Sequence, residues 1–148
     1  MNTAPDPFDL NRFVEAHERD YARALAEIRA GRKHSHWMWY IFPQFRGLGF
    51  SSTSQHYAIK TLDEAKAYLA HPILGPHLRE ISDALLKIEN RTAHEIFGAP
   101  DDLKLHSCAT LFAHVSPPDS VFHHILAKYY GAAPDPKTLQ LIGHSQPT

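Results

Sequence analysis

The chain has 148 residues, of which 43% are hydrophobic and 21% charged, a length and balance that suit one folded domain with an ordinary core and exclude a disordered chain. Lys plus Arg number 15 and Asp plus Glu 16, so the formal charge of -1 excludes a broad basic field, and nucleic acid is not an expected partner. A single cysteine, Cys108, excludes an internal disulfide.

Only three valines occur, against many alanines and leucines, which favours helix over strand. Leu10, Phe13, Val14, His17, Tyr21, Leu25 and Ile28 recur at helical spacing and predict an amphipathic first helix. Asp9 is its expected N-cap, Phe8 and Phe13 a hydrophobic staple, and Gly31 its C-terminal stop. Residues 34–60 break the pattern. They predict a short helical turn through Trp37–Ile41, then an irregular loop after Phe42-Pro43, with a small strand pair in Gly49–Ile59 as the alternative.

Helix resumes at Thr61–Glu64, which reads as a capping box, and runs to about Ala70. Pro76 suits the first turn of the next helix, whose stripe is Leu78, Ile81, Leu85 and Ile88. Thr92–Glu95 is a second capping box before a short helix ended by Gly98. Pro100 starts a helix carrying Leu105, Cys108, Phe112 and Val115. Ser116–Asp119 opens another with Phe122, Ile125, Leu126 and Tyr129 inward, and Asp135-Pro136 begins a last one through Ile142. The expected fold is all-α: a single domain over residues 8–143 of six or seven short helices with one long aromatic-rich loop. Residues 1–7 and 144–148 are expected to be flexible tails.

The opening MNTAPDPFDL has no leader pattern, and no apolar run reaches the length of a membrane span, so the expected setting is cytoplasmic with no membrane partner. Twelve histidines invite a search for metal sites. His34/His36 and His123/His124 lack metalloprotease spacing, however, and there is no Cys cluster, Walker pattern or Gly-x-Ser-x-Gly elbow. No metal or cofactor is expected.

The most informative run is Lys33-His34-Ser35-His36-Trp37-Met38-Trp39-Tyr40-Ile41-Phe42-Pro43-Gln44. On a helical turn Trp37 and Tyr40 share a side while Trp39 points elsewhere, so one tryptophan can enter the core and another face a cleft. Gln44 offers two donors and an acceptor beside a rigid proline, and Gly47 and Gly49 permit close backbone approach. Aromatic faces with a few fixed polar groups make small-molecule pockets, although the same residues also make a buried corner. Ser51–Tyr57 adds hydroxyls, His56 and Tyr57, able to bind phosphate, move a proton or simply form a local turn. Asp101, Lys104 and Ser107 share a helix flank where a lysine and a hydroxyl could hold an anion, or an i, i+3 ion pair could form. Cys108 falls on an apolar stripe and reads as core.

The Lys33–Gln44 run is joined by Gly47–Ser52, Tyr57-Ala58-Ile59, Asp63-Glu64-Ala65, Ala67–Gly75, Asp102–Leu105 and Thr110-Leu111-Phe112. Together these resemble the domain-of-unknown-function family numbered 1810 over about residues 8–143. Bacterial members often carry the label "calpastatin", which fits poorly, since a calpain inhibitor of that name is a disordered, repeat-rich chain and this one is repeat-free. The resemblance implies an all-helical single domain with no settled activity. The family pattern has Ser-Ser where this chain has Ser107-Cys108. Thr53–Tyr57 also bears a loose likeness to a helical family that hydrolyses N-glycosidic bonds in ADP-ribose-related and riboflavin-pathway metabolites.

Two functional expectations follow. In the first, the protein binds a nucleotide-like or ribosyl-containing small molecule and hydrolyses it without metal. Trp37 or Trp39 stacks a ring, Gln44 and Tyr57 orient it, Lys104 and Ser107 hold an anionic group, and His36 or His56 shuttles a proton. In the second, the aromatics of residues 37–45 form a non-catalytic protein-binding patch.

Overall fold

The computed structural model describes residues 5–145. Among them are nine helices: α1 (Asn11–Arg29), α2 (Met38–Ile41), α3 (Ser52–Tyr57), α4 (Leu62–Ala70), α5 (Leu74–Leu86), α6 (Ala93–Phe97), α7 (Asp101–His114), α8 (Val121–Tyr129) and α9 (Pro136–Ser145). The fold is all-α, as the composition predicted. Two or three more helices form than the six or seven expected, because the expected turn at Trp37–Ile41 is a helix of its own and the serine-rich stretch before Tyr57 is helical as well. The alternative of a strand pair in 49–59 is overturned by α3. Ser51 caps it by accepting a hydrogen bond from the Ser54 amide. Among the described residues, extended pairing is limited to one parallel bridge, Phe45 to Ile59.

The stripe on α1 buries Phe13, Ala16, His17, Tyr21, Ala24, Leu25 and Ile28. Its start corrects the expected Asp9 cap. Asp9 sits at φ 53°, and the Asp6 carboxylate instead accepts the Leu10 and Asn11 amides at 2.8 and 2.9 Å. A carboxylate reaching back from outside the first turn satisfies the same orphan donors. The expected tails lie partly outside the described residues. Within these, Asp6 is tied to α1 and α9 runs to Ser145.

α5 lies between α1, α4 and α8, and α7 packs against α6, α8 and α9. The α4–α5 corner depends on Gly75. A Cβ there would lie 2.1 Å from the Leu69 carbonyl oxygen, which also accepts a bond from Arg79 at 3.2 Å. Gly75→Ala should therefore destabilise the protein by about 3 kcal/mol despite better helix propensity, lowering Tm by roughly 6–12 °C. A variant melting within 2 °C of wild type would mean the corner can open freely.

Between α1 and α5 lies a histidine pair, the buried His17 and the half-buried His77. The Nε2 of His17 sits 2.9 Å from the Tyr40 carbonyl, which can only accept, so Nε2 carries a proton. The Nδ1 of neutral His17 therefore accepts from the Nδ1 of His77, 2.9 Å away. Tyr21 stacks on the His77 ring at 3.7 Å. Burial pushes His17 down from 6.5 to about 4, helped by repulsion from His77 and His71 and opposed by the Tyr40 bond. The unfolded chain then holds more protons on this residue than the folded one between those values. Stability is fully present above pH 6.5 and falls by up to about 3 kcal/mol as pH drops toward 4. Urea unfolding at pH 7.5 and pH 4.5 should reveal the loss, and His17→Gln should remove most of the difference. An unchanged pH slope in that variant would assign the effect elsewhere.

The segment that carries the site is fastened to α1 at Arg12. Its guanidinium has five N–H groups, and all are used. Nε donates to the His56 carbonyl (2.9 Å), Nη1 to those of Phe8 and Asp9 (2.7 and 2.8 Å), and Nη2 to the Ala58 carbonyl (3.0 Å) and Glu64 (2.6 Å). Both Arg12 and Glu64 are buried. Here the expected capping box at Thr61 is only half made. Thr61 caps the Glu64 amide, but the Glu64 carboxylate turns to Arg12 and to the Lys60 amide. The second box, at Thr92 and Glu95, is complete.

Candidate functional site

Three local features bend residues 33–60 into a wall. First, Glu27 on α1 accepts four hydrogen bonds: from the amides of His34 (2.7 Å) and Ser35 (2.9 Å), the Ser35 hydroxyl (2.6 Å) and the Trp37 indole (2.9 Å). Burial would raise the Glu27 carboxyl, but these bonds outweigh it and hold it at about 2. Second, Phe42 and Phe45 plug the core on either side of Pro43. Third, the Ile59 amide donates to the Gln44 carbonyl and the Arg46 amide to the Ile59 carbonyl, each at 2.9 Å. This lays residues 44–46 beside 58–60.

The result is a hollow of about 300 Å³ lined by Trp39, Gln44, Arg46, Gln55, Tyr57 and Lys60, with glycines 47 and 49 at its edge. Among the described residues no carboxylate lines it. The Tyr57 ring is braced by Tyr40 at 5.0 Å and Phe13 at 5.8 Å. Across Gln44 and Gly49 lies a second hollow of about 370 Å³, lined by Leu48, Leu103, Lys104, His106, Ser107 and Lys137, with Asp135 at its wall. The Lys104 ammonium lies 5.3 Å from the centroid of the Trp39 ring, where the two hollows meet.

The residues singled out from the sequence divide sharply. Trp39, Gln44 and Tyr57 converge on the first hollow, and Lys104 and Ser107 on the second, with Gln44 common to both. Trp37 does not join them. It is 1% exposed, tilted against Phe42 and edge-on to Phe97, with its indole N–H spent on Glu27. It is the core member of the tryptophan pair. His36 is exposed and lines neither hollow. His56 faces a separate, wider hollow of about 690 Å³ beyond Gln55 and Lys60, beside Arg12 and Thr61. Ser107 is buried, and its hydroxyl donates at 2.9 Å to that of Thr138, whose own proton goes to the Asp135 carboxylate. Lys104 does make the i, i+3 pair with Asp101 (3.4 Å), which Lys33 also joins at 2.8 Å.

Cys108 is buried, and burial drives its thiol well above the usual range. Among the described residues no three His, Cys, Asp or Glu side chains gather as metal ligands would, and no helix is long and apolar enough to cross a membrane.

Residues 7–142 match the family described as "Protein of unknown function (DUF1810)". The chain belongs to that family. Its fold is similar to the crystal structure of the conserved hypothetical protein Rv1873 from Mycobacterium tuberculosis. The two share 49% sequence identity, with 93% of this chain and 99% of that chain covered and a TM-score of 0.91. No curated protein matches the chain.

Sequence reading missed Arg46, Lys60, His106 and Lys137. Arg46 had a usable signal, since it directly follows the aromatic run, where a cation can lie over a ring face. Lys137 reaches the second hollow only because α9 packs on α7, a long-range fact that no local pattern carries.

Proposed function

We propose that this DUF1810 protein binds a nucleotide-like or ribosyl-containing small molecule in the hollow beside Trp39. One observation carries the reading: a single concave surface combines two aromatic side chains, Trp39 and Tyr57, two amides, Gln44 and Gln55, and two cations, Arg46 and Lys60, with no carboxylate among them. Aromatic faces take a planar ring, amides pair with its edge, and cations favour an anionic substituent. Binding is better supported than turnover, because His36 and His56, the groups expected to move protons, line other surfaces. The protein-patch alternative loses its basis in residues 37–45, since Trp37, Tyr40, Phe42 and Phe45 are inside the core.

The test is a thermal-shift series with AMP, ADP and ADP-ribose. A ligand at a hundred times its Kd adds about 2.7 kcal/mol, a rise of roughly 5–11 °C. Trp39→Ala and Gln44→Ala should lose that rise while remaining folded. A flat response of the wild-type protein to all three compounds overturns the reading.

A further inference from the structure

We propose that the second hollow is the diphosphate subsite of the same site, so that the ligand class is a nucleoside 5′-diphosphate rather than a nucleoside or free base. This rests on the ring-binding reading of the Trp39 hollow and extends it.

The two hollows lie on either side of a saddle formed by Gln44 and Gly49, which line both. Gly49 adds no side chain to the saddle, and it could not carry one without displacement. A Cβ there would lie 2.6 Å from the Ser54 Cβ, which cannot rotate away. A ring seated against Trp39 would direct its substituent toward Lys104, whose ammonium already lies over that tryptophan.

Charge in the second hollow favours an anion. Lys104 and Lys137 line it, and the only carboxylate there, Asp135, is engaged at the start of α9, accepting from the Thr138 amide at 3.1 Å and its hydroxyl at 2.5 Å. The partner of Lys104 lies outside the hollow's lining. Asp101 is shared between Lys104 at 3.4 Å and the nearly buried Lys33 at 2.8 Å. One carboxylate thus serves two ammonium groups. Lys104 can turn to a phosphate without stranding Asp101, because the shorter and less exposed of its two ion pairs remains. Two lysines on separate helices, α7 and α9, suit two phosphoryl groups better than one.

Calorimetry on the full chain with adenosine, ADP and the matching uridine and UDP pair tests this. The diphosphates should bind roughly tenfold or more tightly than their nucleosides, and the advantage should shrink as salt rises. Lys104→Met with Lys137→Met should bring the ratio of diphosphate to nucleoside affinity to within about twofold. Should the double variant fail to fold, the exposed Lys137→Met alone should still lower that ratio. Nucleosides that bind as tightly as their diphosphates, or a ratio untouched by the lysine changes, would overturn the subsite and leave the ring-binding reading standing. Absence of binding by all four compounds would overturn both.

Discussion

Arg12→Met should cost the protein about 3–5 kcal/mol of stability, enough to lower its melting temperature by roughly 10 °C. The side chain is nearly sealed from solvent, and its guanidinium makes five hydrogen bonds, one of them to the buried Glu64. Methionine fills similar space but donates nothing. Glu64 would be left as a buried charge without its cation, and the carbonyls of Phe8, Asp9, His56 and Ala58 would each lose a donor. Arg12→Lys should recover little, because an ammonium has three donors and no planar fork. Adding Glu64→Leu to Arg12→Met should restore part of the loss by removing the stranded charge. Urea unfolding at neutral pH measures all three variants. A loss under 1 kcal/mol in Arg12→Met would show that the guanidinium does not join these segments.

The second large effect separates the two tryptophans. Trp37→Ala should destabilise the fold by about 3–5 kcal/mol, since it empties a fully enclosed site between Phe42 and Phe97 and removes one of the four bonds that Glu27 accepts. Trp39→Ala, at a half-buried position facing a hollow, should cost clearly less and act on ligand response instead. Fluorescence gives an independent check. In the Trp39→Ala protein the remaining emission comes from Trp37 and should be blue-shifted and insensitive to added nucleotide. Equal stability losses in the two variants would contradict the division.

How far the sequence could be read follows from the same residues. The all-helical class was legible because α1, α5 and α8 show apolar positions at helical spacing, which depends only on local order. That one tryptophan enters the core and the other faces a cleft was legible from helical geometry. Which one does which was not, because that depends on where Glu27 and Phe97 sit in three dimensions. The α1 cap was misplaced because Asp6 reaches over an intervening turn to a helix that starts five residues later. α3 was missed because Ser51–Ser54 has the composition of a loop, although its hydroxyl supplies the cap. Trp39, Gln44 and Tyr57 could be grouped from sequence because they lie on one continuous segment that returns alongside itself at the Phe45–Ile59 bridge. His36 and His56 sit on that segment too, but point to other surfaces.

Both ends of this segment are fastened to the same rod. Glu27, near the end of α1, grips its start, and Arg12, near the beginning of α1, grips its close. The first helix thus acts as a template on which the pocket-forming stretch is cast, and an isolated peptide of residues 33–60 would have no pocket. α1 forms from local contacts, whereas Arg12 meets Glu64 across 52 positions of chain, so the pocket takes shape only after its template exists. Amide protons across 34–60 should then exchange together, as one cooperative unit released when that helix lets go.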